Sequence, residues 1–85
     1  MIISFVEKSW DDYNEWANID KKIFKKIQRL LKETIREPFS GIGKPEPLKN
    51  NLRGYWSKRI TDEHRLVYKV EANQLIVISC RFHYD

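Results

Sequence analysis

The stretch "GYWSKRITDEHRLVYKVEANQLIVISCRFHY", residues 54–84, decides the fold. Three runs rich in β-branched and aromatic residues, "GYWSKRI", "HRLVYKV" and "LIVISCRFHY", are separated by the short polar turns "TDE" and "EANQ". That pattern predicts an antiparallel meander. Side chains alternate between the two faces of a strand. One face is therefore expected to carry Trp56 and Ile60, then Leu66, Tyr68 and Val70, then Ile76, Ile78, Cys80 and Phe82. The other carries Ser57 and Arg59, then Arg65, Val67 and Lys69, then Ser79, Arg81 and His83. For these sets to align across all three strands, both hairpins need an odd loop or a bulge. With three-residue loops Arg59 lies opposite Arg65, and Arg65 opposite Arg81; His83 is then diagonal to Arg65, roughly 7–8 Å away. Three neighbouring arginines repel one another. Either an anion meets them there, or their long side chains splay into water.

Upstream, Ile2–Glu7 reads as a short strand. Ser9 followed by Asp12 resembles a weak helix N-cap signal. Trp10, Tyr13, Trp16 and Ala17 then recur at helical spacing, and Asp20 is placed to cap a second helix. Ile23, Phe24, Ile27, Leu30, Leu31 and Ile35 follow a 3.6-residue period. The two helices are nearly contiguous, which predicts an antiparallel helical hairpin. Residues 37–51, "EPFSGIGKPEPLKNN", hold all three prolines and two of the three glycines, and form the one long irregular segment. The whole chain, residues 1–85, is read as one α+β domain: an N-terminal strand and a two-helix hairpin packed on one face of a mainly antiparallel, twisted sheet of four or five strands.

Composition narrows the function classes. The net charge of +4 points weakly toward an anionic partner such as nucleic acid. The charge is uneven. Residues 1–20 carry one Lys and five acids, a net of −4, whereas residues 21–36 carry seven Lys/Arg and one Glu, a net of +6. No apolar run approaches the ~20 residues of a membrane span. The single cysteine and the lack of a signal-peptide pattern point to a reducing, cytoplasmic setting.

His83 is the better-placed histidine for proton transfer near neutral pH, although taken alone it reads first as a surface imidazole on an end strand. His64 falls on the apolar parity and reads as structural. Glu46 is the only acid of residues 38–47, bracketed by Pro45 and Pro47, which stiffen its backbone. It suits a base, or simply a solvated loop acid. Lys49 suits phosphate. "GIGK" follows a helix and lacks nucleotide-loop spacing, and Cys80, His64 and His83 lack zinc-site spacing. No cofactor or metal is expected. In combination, a base (Glu46), an acid (His83) and cations (Arg59, Arg65, Lys49) suit transesterification of an RNA phosphodiester.

At "SWDDY", "GKPEPLK", "GYWSKRITDEHRLVY" and "CRFHY" the chain resembles, over essentially its whole length, the YoeB toxins of the RelE/ParE superfamily. The resemblance implies the same α+β fold with an open sheet face as active site, and ribosome-dependent cleavage of mRNA in the A site. It implies Glu46 as general base, His83 as general acid and Arg65 as transition-state stabiliser. Lys49 and Arg59 would contact phosphate, and Tyr84 would stack on or position the target nucleotide. It implies a YefM-type antitoxin as partner, with operator DNA bound only through the toxin–antitoxin complex; a homodimer is left open. Two rival readings stand beside it: a non-nucleolytic toxin of the same fold, like the ParE gyrase inhibitors, and a plain nucleic-acid-binding module.

Overall fold

The computed structural model describes residues 1–82. The elements are β1 (Ile2–Phe5), α1 (Glu7–Ile19), α2 (Lys21–Thr34), β2 (Glu46–Pro47), a single 3-10 turn (Asn50–Leu52), β3 (Trp56–Arg59), β4 (Arg65–Glu71) and β5 (Gln74–Ser79). They form a five-stranded sheet in the order β1-β5-β4-β3-β2. β1 runs parallel to β5, and every other pair is antiparallel. This is the expected α+β arrangement, with one addition. Part of the long irregular segment is an edge strand, β2, which places Glu46 opposite Ser57. An edge position suits Pro47, which has no N–H to donate to a ladder.

Asp20 caps α2 as predicted, its Oδ1 accepting the N–H groups of Lys22 and Ile23 at 3.0 and 3.2 Å. Ser9 does not cap α1. The helix starts at Glu7, and Ser9 lies inside it, fully buried. Its hydroxyl lies 2.9 Å from the Val6 carbonyl and 2.8 Å from the Val77 carbonyl, so it ties α1 to β5 instead.

The core lies between the helices and one sheet face. Trp16, Ile27, Leu30, Leu31, Ile60, Leu66, Tyr68, Leu75, Val77 and Cys80 form it. β3 and β4 follow the predicted parity, but β5 does not. Leu75 and Val77 face the core, not Ile76 and Ile78. The β4–β5 loop has only two residues between the paired Glu71 and Gln74, and both, Ala72 and Asn73, have positive φ (51° and 59°). Such an even, tight turn reverses the parity of the incoming strand. A bulge then intervenes: Tyr68 pairs with Val77 and Val67 with Ser79, leaving Ile78 as the extra residue. The bulge restores the even parity at Cys80, whose thiol is buried. Burial, and then the Asp12 carboxylate, push its pKa up to about 12. The thiol therefore stays protonated and unreactive at neutral pH.

The face between α2 and residues 37–44 is held by a buried cation. The Lys58 side chain is fully buried on the core face of β3. Its ammonium donates to Glu33 Oε1 at 3.3 Å and to the Glu37 carbonyl at 3.0 Å. Glu33 Oε2 accepts the Ile42 N–H at 2.9 Å, and the buried Tyr68 hydroxyl donates to the Pro38 carbonyl at 2.5 Å. The Gly43 carbonyl accepts the Arg59 N–H at 2.6 Å. Gly43 itself has φ +87°, and a Cβ there would lie 3.0 Å from Lys58 Cβ. Only glycine lets the loop approach this closely.

Partial burial alone would raise the Glu33 pKa. The Ile42 N–H and the Lys58 and Arg36 charges outweigh it and hold the carboxyl below the ordinary value. A depressed folded-state pKa contributes stability above the unfolded value and loses it as pH falls through the folded one. The melting temperature is thus expected to gain an acid-limb component that sets in as the pH drops below about 4.5, the ordinary value. Glu33→Gln should remove that component in a melting series from pH 7 to 3; an unchanged acid limb would refute it.

Candidate active site

On the sheet face away from the helices, the register builds two rows. Glu46, Ser57, Val67 and Ser79 lie side by side across β2, β3, β4 and β5. Two residues further along β3 and back along β4, Arg59 lies directly opposite Arg65. Rows separated by two residues are roughly 7 Å apart. Glu46, Arg59 and Arg65 therefore stand on one sheet face, in neighbouring rows around the buried pair Ser57 and Val67. Ser57 and Val67 are the part of the site that sequence reading did not single out. Their adjacency to Glu46 could only be seen once β2 was recognised as a strand.

Arg65 is aimed by the turn before it. The Ile60 N–H donates to the His64 carbonyl at 3.0 Å, closing a three-residue loop of Thr61, Asp62 and Glu63. The odd loop is the predicted one, and it produces the Arg59–Arg65 pairing. Arg65 Nη1 donates to the Thr61 carbonyl at 2.8 Å. Arg59 Nη1 lies 3.8 Å from Asp62 Oδ1. Lys49 stands at the start of the 3-10 turn and, with Glu46, lines an open depression of about 400 Å³ along residues 46–52. Arg59 also borders a second depression, of about 250 Å³, with Lys26, Arg29 and Lys44 around Leu30 and Ile42. The cationic surface thus continues from the sheet face round to α2. The sequence signal for this extension is Lys26 and Arg29, three residues apart on a helix and so on one side of it.

Arg81 does not join the arginine row. β5 ends at Ser79, and Arg81 turns to the helix side. Its guanidinium lies 5.5 Å from the Trp16 ring and 4.0 Å from Asp12 Oδ1. Phe82 does not face the core either. It is half exposed and has φ +61°, the left-handed region. Strict alternation fails here because the ladder has already ended. His64 is buried, as expected. Its ring packs edge-on against Trp16 at 4.8 Å, and Nδ1 accepts the Phe82 N–H at 2.7 Å. His83 and Tyr84 lie outside the described residues. The chain enters His83 directly from Phe82.

Among the described residues there is no group of three or more His, Cys, Asp or Glu side chains able to hold a metal ion, and no helix long and apolar enough to cross a membrane.

Residues 5–84 match the family of YoeB-like toxins of bacterial type II toxin–antitoxin systems. The chain belongs to this family. A YoeB toxin of Escherichia coli is 57% identical over 84 residues, covering 99% of this chain and 100% of that protein. The solved YoeB/ParE toxin of Agrobacterium tumefaciens superposes with a TM-score of 0.96 at 50% identity, covering 99% of this chain and 100% of the other. The Staphylococcus aureus YoeB toxin, solved in complex with YefM, superposes with a TM-score of 0.90 at 47% identity, covering 99% and 98%. That toxin has also been solved as a dimer. The two-helix layer on a mixed five-stranded sheet is the fold of these YoeB toxins, and this chain is a type II toxin-family domain built on it.

Proposed function

We propose that the chain is a ribosome-dependent mRNA endoribonuclease that cuts in the A site and thereby inhibits translation. The observation that carries this reading is the placement of Glu46 and the Arg59–Arg65 pair on one sheet face, in adjacent rows. Glu46 removes the proton from a ribose 2′-OH. The 2′-oxygen attacks the adjacent phosphorus as the bond to the 5′-oxygen breaks. His83 protonates that leaving oxygen, so the products are a 2′,3′-cyclic phosphate and a 5′-hydroxyl. Arg65 stabilises the extra negative charge on the phosphoryl oxygens. Arg59 and Lys49 hold the flanking phosphates, and Tyr84 stacks on the target base. The reaction requires no metal or cofactor.

The partner that restrains this activity is a YefM-type antitoxin; the Staphylococcus aureus relative has been solved in complex with YefM. The antitoxin complex represses its own operon. The cell compartment is the cytoplasm, where ribosomes are.

The test is a cleavage map. Ribosomes programmed with one defined mRNA receive the purified protein, and new 5′ ends are located by primer extension beside a naked-mRNA control. A single cut in the A-site codon, absent from naked mRNA, is expected. Inhibited translation with no cut would overturn the nuclease reading in favour of a binding toxin.

A further inference from the structure

We propose that His64 is a positioning residue for cleavage: its Nδ1 holds the Phe82 amide and so sets the direction in which the chain enters His83. This rests on the nuclease reading above. Both polar backbone groups of Phe82 are gripped by one dipeptide. Its N–H donates to His64 Nδ1 at 2.7 Å, and its carbonyl accepts the Arg65 N–H at 3.1 Å. Phe82 needs such a grip. Its φ of +61° is costly for a residue with a Cβ. Its ring is half exposed, 5.2 Å from the His64 ring, so apolar burial does not supply the restraint.

His64 is fit to be the anchor because it is itself held. It is buried against Trp16, whose indole N–H donates to the Cys80 carbonyl at 3.0 Å. Accepting at Nδ1 leaves Nε2 to carry the ring proton, and Nε2 lies 3.6 Å from the Glu63 carboxylate. Packing alone does not ask for an imidazole. A phenyl ring would fill the slot against Trp16 without burying two ring nitrogens. The dipeptide also couples two roles: Arg65 presents the cation, and its neighbour His64 holds Phe82, the residue that precedes the proposed acid in the chain.

Two measurements test this. In uniformly ¹⁵N-labelled protein, a through-hydrogen-bond N–N coupling between the Phe82 amide and His64 Nδ1 is expected, and its absence in a folded sample overturns the contact. Cleavage on programmed ribosomes is then compared for His64→Phe, His64→Asn and His64→Gln. The Asn oxygen falls near the position of Nδ1, whereas the Gln oxygen falls near Nε2. About a tenfold loss of kcat with KM within twofold is expected for Phe and Gln, and Asn is expected to recover most of it. Should the Phe variant fail to fold, the Asn–Gln contrast carries the test alone. Wild-type protein that cuts while Phe and Gln variants match it overturns this assignment only. Wild-type protein that cuts nothing overturns the nuclease reading and this assignment with it.

Discussion

Alanine at Arg65 is expected to slow A-site cleavage about 100- to 1,000-fold, the usual loss when one preorganised charge-stabilising donor is removed. The reasoning starts from placement. Arg65 opens β4 directly opposite Arg59, on the face that also carries Glu46. Its Nη1 is tied to the Thr61 carbonyl at 2.8 Å, so the guanidinium is oriented before substrate arrives. Orientation in advance is what makes a donor worth more in the transition state than in the ground state. The loss should therefore fall on the cleavage rate at saturating ribosome rather than on binding. Folding should suffer little: one hydrogen bond, about 1 kcal/mol, lowers the melting temperature by ~4–8 °C in a domain of this size. Arg65→Lys should fall between wild type and alanine, because a lysine keeps the charge but not the planar fork. An alanine variant that cuts at the wild-type rate would remove Arg65 from the mechanism.

Alanine at Lys58 is expected to destabilise the fold by about 3 kcal/mol or more. That corresponds to a fall in melting temperature of roughly 12–24 °C. Lys58 has no exposed side-chain surface, yet its charge is paired with Glu33 and hydrogen-bonded to the Glu37 carbonyl. Truncation leaves a cavity beneath β3 and strips Glu33 of its cation, while the loop that leads into Glu46 loses its support from below. Lys58→Met keeps most of the volume, so it should cost roughly half as much. A cycle with Glu33→Gln separates the pair from the packing: the two single losses should sum to more than the loss in the double variant. A Lys58→Ala protein within about 0.5 kcal/mol of wild type, the spread typical of neutral surface changes, would show that the buried pair contributes nothing.

Much of this was legible because local chemistry and tertiary demand agree. Asp20 caps α2, and Ile27, Leu30 and Leu31 reach the core, since a 3.6-residue apolar period has only one way to be buried. The Arg59–Arg65 pairing was legible because "TDE" is just long enough to make an odd turn. Where reading failed, a long-range partner decided. Ser9 looked like a cap from its neighbours, but the Val77 carbonyl, 68 residues away, claims its hydroxyl. Ile76 and Ile78 looked like core by alternation, and the two-residue turn at Ala72–Asn73 moved Leu75 and Val77 there instead.

The candidate site residues were all readable along the chain, one proline-bracketed carboxylate, several cations and a histidine near the end, on a meander backed by an amphipathic hairpin. The sequence also carried the family resemblance, because the runs "GKPEPLK" and "CRFHY" are contiguous in the chain. Which way Arg81 turns was settled by tertiary contacts alone. Arg81 has the parity of Arg59 and Arg65, yet it sits over Trp16, near Asp12, because β5 stops at Ser79 and Phe82 is drawn onto His64 and Arg65. The physical reason is that alternation is a rule of the hydrogen-bonded ladder. Once a bulge or a side-chain acceptor interrupts the ladder, the direction of each following residue is set by its contacts and no longer by its number.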